Sequence, residues 1–256
     1  MLKRERLTKI LQMVNDQGIV DTAEIMETLA VSDMTVRRDL DELEKSGKLI
    51  RVRGGAQSLD YNIDFELSHL QKSTVQIEEK RAIARYAASL VKDHETIFLG
   101  PGTTLEMMAS MIPDKDIRVV TSSLPAFEML KEKMEDRLLL VGGYYRAKTG
   151  AFVGTLANQI LQNLKFNKVF ISCNGIADDE ITTSSMEEGE MQAIACRNGR
   201  SVYLLADSHK FNREDFYVYE HLYNIDELIT DSSLSQDVAD HYGEYTKVWQ
   251  VKGENS

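Results

Sequence analysis

Seven short apolar runs, at residues 96–99, 118–121, 138–141, 169–173, 202–206, 228–230 and 248–251, recur along the last two thirds of this chain, with helical spacing between most of them. Nothing else in the sequence restricts the fold as much. A strand whose apolar residues are consecutive instead of alternating is buried on both faces, and strands separated by helix-length segments pair in parallel because each return crossing uses a helix. The expectation is an α/β domain whose mostly parallel sheet is covered on both sides. A helix over 78–91, with Ile83, Tyr86, Ala87 and Leu90 on one face, leads into it.

In such sheets small ligands bind beyond the carboxyl ends of the strands, so the residues that follow each run matter most. After the first run come Gly102, Thr103 and Thr104, a glycine turn entering a helix, where free amides and two hydroxyls suit a phosphate. The next runs are followed by Thr121, Ser122 and Ser123, by Gly142 and Gly143 with Arg146 beyond them, by Asn174 and Gly175, and by Asp207 and Lys210. Singly, each is ordinary turn chemistry or a surface cation. Together on one sheet edge they point to a shared polar pocket, with Lys210 and Arg146 as the candidate cations.

The first 58 residues follow a different pattern. Leu7, Ile10, Leu11 and Val14 form a helical stripe that Gly18 closes, and Asp21 and Glu24 have capping-box spacing for a second, short helix carrying Ile25 and Leu29. Ser32 is the N-cap of a third helix, in which Val36, Leu40 and Leu43 share one face and Met34, Arg37, Arg38 and Asp41 the other. Two helices joined by a short turn, then a strand over 48–53 and the Gly54, Gly55 pair, spell a winged helix-turn-helix. DNA reading needs donors on the exposed first turns of the recognition helix. Ser32, Met34, Thr35, Arg37 and Arg38 occupy that surface, and Arg51 and Arg53 of the wing would address phosphate or the minor groove. For an isolated helix, Arg37 and Arg38 would read as solvated charges paired with Asp33 or Asp41.

The net charge of −11 accords with such a head only when divided along the chain. Residues 1–58 hold ten basic and ten acidic side chains, so the acidic excess, twenty basic against thirty-one acidic, lies wholly beyond. Weak non-specific DNA binding follows, because phosphate attraction supplies most of it. Between the two patterns, residues 59–74 are polar and aperiodic and read as a linker. The domains are therefore 1–58 (the helix-turn-helix, DNA-binding), 59–74 (linker) and 75–256 (the α/β domain with the polar pocket). No run approaches the ~18 apolar residues of a membrane span, and the charged 1–17 segment is unlike a secretory leader, so a cytoplasmic location without membrane association is expected. Cys173 and Cys196 lack metal spacing and sit in apolar runs as packing residues. Neither metal nor cofactor is expected.

The series Arg6, Ile10, Val14, then Ser32-Asp33-Met34-Thr35-Val36-Arg37-Arg38-Asp39-Leu40, then Gly54-Gly55-Ala56, resembles the signature of the DeoR-type bacterial repressors. Gly102-Thr103-Thr104, Val120-Thr121-Ser122-Ser123, Gly142-Gly143 and Asp207-Ser208-His209-Lys210-Phe211 look like that family's sensor-domain motifs. The resemblance implies a domain similar in fold to phosphopentose isomerases, a homo-oligomer (dimer or tetramer) on double-stranded operator DNA, and control by a phosphorylated sugar. The text from Gly142 to Gly154, with Phe211, Arg213 and Phe216, is similar to the family members that govern lactose phosphotransferase operons, which implies tagatose 6-phosphate as inducer. Two departures stand out: Gly100-Pro101 precedes the Gly-Thr-Thr turn where many members have aspartate, and Asn174-Gly175 replaces Asp-Gly. Asparagine still bonds a hydroxyl but cannot act as a general base.

Two other functions share this architecture, an activator and a sugar-phosphate isomerase with a DNA-binding appendage. The isomerase needs a carboxylate base, and Asp207 is the one acidic residue the sequence places at a strand end. Beside Lys210 it reads as a binding pair, so the expectation is a regulator without enzymatic activity.

Overall fold

A computed structural model describes residues 3–52, 54–58 and 69–252, which fall into two compact units, Met1–Leu67 and Ser68–Ser256. In the first unit, helix α1 (Lys3–Gln17) and strand β1 (Ile19–Asp21) precede α2 (Thr22–Leu29), α3 (Asp33–Lys45) and the strands β2 (Leu49–Val52) and β3 (Gly55–Ser58). The strands pair antiparallel in the order β1-β3-β2. Ile10, Val14, Ile25, Val36, Leu40 and Leu49 meet in one buried cluster, as their spacing predicts. Gly55 is obligatory in the wing because a Cβ there would lie 2.2 Å from the Val20 carbonyl oxygen. Arg6 and the buried Asp39 form an ion pair between α1 and α3, with Nη2 to Oδ1 at 3.1 Å. Those two signature residues therefore hold the helices together.

The capping-box reading of α2 differs from what forms. Asp21 makes no side-chain cap bond; the Thr22 amide donates to the Gly54 carbonyl, and Glu24 accepts from the Gln17 side chain at 2.8 Å. Asp21 is the last residue of β1, and the strand pairing sets its backbone.

The second unit opens with α4 (His69–Ser73), in a stretch the sequence assigns to the linker. A five-residue helix is too short to show a periodic stripe. There follow α5 (Ile77–Ser89), β4 (Thr96–Leu99), α6 (Thr103–Met111), β5 (Arg118–Thr121), α7 (Leu124–Met134), β6 (Leu138–Leu140), the hairpin β7 (Tyr144–Arg146) and β8 (Ala151–Val153), α8 (Thr155–Gln162), β9 (Phe166–Ser172), β10 (Gly175–Ala177), β11 (Glu180–Thr183), α9 (Met186–Asn198), β12 (Gly199–Leu205), β13 (Tyr217–His221), β14 (Glu227–Asp231), α10 (Gln236–Gly243) and β15 (Val248–Val251).

All seven expected strands join one parallel sheet in the order β15-β14-β12-β9-β4-β5-β6. Strand side chains alternate between two buried clusters: Phe98, Val169, Ile171 and Leu204 pack with α8, α9 and α10, while Ile97, Leu99, Phe170 and Leu205 pack with α5, α6 and α7. The sheet is thus covered on both faces. A smaller antiparallel sheet, β10-β11-β13, has no counterpart in the sequence reading. The chain builds outward from β4 to β5 and β6 on one side, then returns to lay β9 against the other side of β4. Connections therefore diverge between β4 and β9, leaving a crevice at their carboxyl ends. Among the described residues no helix is long and apolar enough to cross a membrane.

Candidate functional site

The crevice at the β4/β9 switch is a cleft lined by residues from several strand ends and helices. The turn after β4 supplies Gly102, Thr103 and Thr104; the end of β9 supplies Ser172, Cys173 and Asn174; and the segment after β12 supplies Asp207 and Lys210. Gly102 holds φ at +139°, and a Cβ on it would stand 2.4 Å from the Ser172 hydroxyl, so only glycine lets the two strand ends approach this closely. The Ser172 hydroxyl donates to the Pro101 carbonyl at 2.8 Å, fixing the turn against β9. The first-turn amides of α6 have no intrahelical acceptors and carry the positive end of its dipole.

Three lysines line this cleft: Lys72 from α4, Lys80 from α5 and Lys210 from the short 3-10 helix Ser208–Lys210. Lys80 is 5% exposed, and its ammonium donates to the carbonyls of Lys72 at 2.5 Å and Val75 at 2.7 Å. Burial, reinforced by Lys210 and Lys72, lowers its pKa to about 8 against the opposing pull of Asp207 and Glu106. Lys72 donates to the Asn174 side-chain oxygen at 3.0 Å, and the Asn174 amide donates to Asp215 at 2.8 Å. His69 lies 2.7 Å from the buried Glu106, whose pKa burial raises against the pull of that imidazole. Asp207 caps the 3-10 helix by accepting from the His209 amide at 3.2 Å. Burial pushes the Cys173 thiol up to about 12 and raises Cys196 as well, so both behave as packing residues.

Of the candidates read from the sequence, Gly102, Thr103, Thr104, Asn174, Asp207 and Lys210 line the cleft. The other candidates are elsewhere. Thr121, Ser122 and Ser123 follow β5 but are fully buried, because Ala151 bridges Ser123 and the Phe152 amide donates to the Ser122 carbonyl. Thr121 bonds the Leu99 carbonyl at 2.8 Å, and Ser123 caps α7. Gly142 and Gly143 border a separate surface depression with Leu156 and Ile160, since β6 is an edge strand two places from the switch. Gly175 lies in β10, packed against the Arg213 carbonyl. Arg146 stands behind the lining, 3.3 Å from the hydroxyl of the lining residue Thr149.

The sequence reading missed His69, Lys72, Lys80, Thr149, Glu188 and Gln192, all in the lining. Lys80 had a legible signal, since it precedes Ile83 and Ala84 by three and four residues and so falls on the buried stripe of α5. Glu188, which comes from the first turn of α9 and not from a strand end, adds a second carboxylate to Asp207 in the lining. Among the described residues no group of His, Cys, Asp and Glu could hold a metal ion.

On α3, Met34, Arg37 and Arg38 are exposed opposite the buried Val36, Leu40 and Leu43. Arg37 is ion-paired to Asp33 at 2.7 Å, and both side chains are about half exposed or more, so the pair is a weak tether. Among the described residues Arg38 has no ion pair. The hydroxyls of Ser32 and Thr35 are 2.9 Å apart. Arg51 turns back toward Asp41 at 3.6 Å, while Arg53 lies outside the described residues.

Residues 6–62 match the DeoR-like helix-turn-helix domain and residues 75–232 the DeoR C terminal sensor domain. The lactose phosphotransferase system repressor of Streptococcus mutans is 42% identical over 250 residues, covering 97% of this chain and 99% of that protein. Its namesake from Staphylococcus epidermidis is 45% identical over 235 residues, 91% of this chain and 94% of that one. Among solved structures, ribose 5-phosphate isomerase A from Methanocaldococcus jannaschii aligns with 52% of this chain and 53% of its own at 17% identity and a TM-score of 0.37, too distant to bear on fold or activity. A DeoR-like helix-turn-helix joined to a DeoR sensor domain, with more than 40% identity across almost the whole length, settles the matter of kinship: this protein belongs to the DeoR family.

Proposed function

We propose that the protein is a transcriptional repressor of a sugar catabolic operon, that α3 reads its operator, and that a phosphorylated sugar bound in the β4/β9 cleft releases it from DNA. The observation that carries this reading is the convergence of Lys72, Lys80 and Lys210 on the amino end of α6 in a domain that is otherwise acidic. A phosphate dianion leaving water must be matched by amide donors and cations, and this cleft offers both. Tagatose 6-phosphate is the proposed effector, supported by the identity with lactose phosphotransferase system repressors. Repeated half-sites on an operator call for at least a dimer. The cleft serves binding and not turnover in this reading, with Asn174 as a hydroxyl partner.

The test is anisotropy of labelled promoter DNA from the protein's own operon, titrated with protein and then with tagatose 6-phosphate, galactose 6-phosphate and inorganic phosphate. Specific binding relieved by a hexose phosphate is expected. Lys210→Ala should weaken effector binding about ten- to a hundredfold, since a charged hydrogen bond contributes roughly 1.5 to 3 kcal/mol, and leave effector-free operator binding unchanged. Binding to DNA that no sugar phosphate relieves would sink the sensing half of the proposal. Turnover of the sugar would favour the isomerase instead, and transcription that falls when the protein is deleted would make it an activator.

A further inference from the structure

We propose that Glu188 is the residue by which the cleft recognises sugar hydroxyls, making the site selective for a phosphorylated sugar with free hydroxyls over phosphate itself. This rests on reading the cleft as a sugar-phosphate site and extends it to the part of the ligand that distinguishes one phosphate from another.

Glu188 lies in the first turn of α9, where the Ser185 hydroxyl accepts from its amide at 3.4 Å. Its side chain is 5% exposed, yet it lines the cleft. A buried carboxylate costs solvation free energy, and in a pocket built for a bare anion it would also repel the ligand. Its place is explained if the ligand brings donors. One oxygen accepts from the Thr149 hydroxyl, which receives the Arg146 guanidinium at 3.3 Å, and the other lies 3.9 Å from Arg146. Held in this way, the carboxylate has a fixed orientation, and the α9 dipole favours its negative charge.

The cleft divides accordingly. Lys72, Lys80 and Lys210 reach the cleft from α4, α5 and the 207–210 segment. Glu188, Thr149 and Gln192 come instead from α9 and the turn between β7 and β8. A carboxylate is an acceptor with about four lone-pair positions, so sugar hydroxyls can be added to the Thr149 contact without displacing it. A ligand with phosphate at one end and hydroxyls at the other fits both sets.

Calorimetry on the full-length chain, with inorganic phosphate, tagatose 6-phosphate and galactose 6-phosphate, tests this. The parent should bind a hexose phosphate more tightly than inorganic phosphate. Glu188→Gln keeps the size and the acceptor for Thr149 but loses the charge, and should weaken the hexose phosphate about tenfold or more, with inorganic phosphate within about twofold of the parent. Glu188→Asp, one methylene shorter with its charge intact, should lose less, and it decides the matter through the same ratio if the first variant does not fold. An unchanged ratio of hexose phosphate to inorganic phosphate overturns this role for Glu188 while leaving the sugar-phosphate reading standing. A parent that binds no hexose phosphate overturns both.

Discussion

Lys80 shows how a single residue carries both the electrostatics and the pH response of the cleft. An ammonium whose pKa burial has lowered to about 8, from an ordinary value near 10.5, loses its proton in the folded protein before it would in the unfolded chain. The sign follows from proton counts. Between pH 8 and 10.5 the unfolded state binds more protons at this site, so the site's contribution to stability rises with pH through that window and is lost as pH falls through 8. Phosphate binding runs the opposite way, because the anion needs the charged form. Above pH 8 effector affinity should therefore fall, by up to about tenfold per pH unit, while the ligand-free protein gains stability from this group. Lys80→Met should flatten both slopes and bind effector more weakly at pH 7. Titrating effector and measuring thermal unfolding from pH 7 to 9.5 checks the pair; parallel slopes in parent and variant would remove Lys80 from the phosphate set.

Among the elements, α6 and α3 bear the two recognition tasks, and each admits a sharp substitution. Gly102→Ala must strain a φ of +139° and displace the Ser172 hydroxyl from 2.4 Å, so it should cost about 1 to 3 kcal/mol of stability together with effector affinity. Urea denaturation of the sensor-domain transition measures the first and calorimetry the second; an unperturbed variant would mean that the turn relaxes freely. On α3, Arg38→Ala should cost about 1 to 3 kcal/mol on the operator and much less on random DNA if the side chain meets a base edge, and equal losses on both would make it a phosphate contact. The sequence displays these elements unevenly. The seven central strands are legible because each holds at least two consecutive apolar residues, the mark of a strand covered on both faces. The β10-β11-β13 sheet is not, since its strands are three to five residues long and include Glu180, Thr182, Thr183 and Glu220. Strand ends were likewise visible, but which of them face the cleft depended on strand order. Thr121 to Ser123 end a strand next to the switch, yet the β7/β8 hairpin covers them, and no local pattern announces that a hairpin will fold there.

For the molecule as a whole, the two units have separate cores: one buried cluster draws only on residues up to 58, the other two only on residues beyond 80. Independent folding of the second unit follows, because well over a hundred residues with covered sheet faces bury enough surface to be stable. Where a fragment should begin is decided by α4. Although the family match to the sensor domain starts at residue 75, His69 and Lys72 belong to the cleft lining, and the Lys72 carbonyl accepts from the Lys80 ammonium. A fragment of residues 68–256 should therefore bind effector as the whole chain does. One of residues 75–256 keeps every strand and both clusters, so it should fold with a similar unfolding temperature, but it lacks one of three lysines, the histidine beside Glu106 and an acceptor that orients Lys80. Its effector affinity should drop about ten- to a hundredfold, the effect of one or two charged hydrogen bonds. Circular dichroism melts and calorimetry on both fragments separate the possibilities. Equal affinities would place α4 outside the phosphate site, and failure of the longer fragment to fold would show that the sensor unit depends on the residues before it.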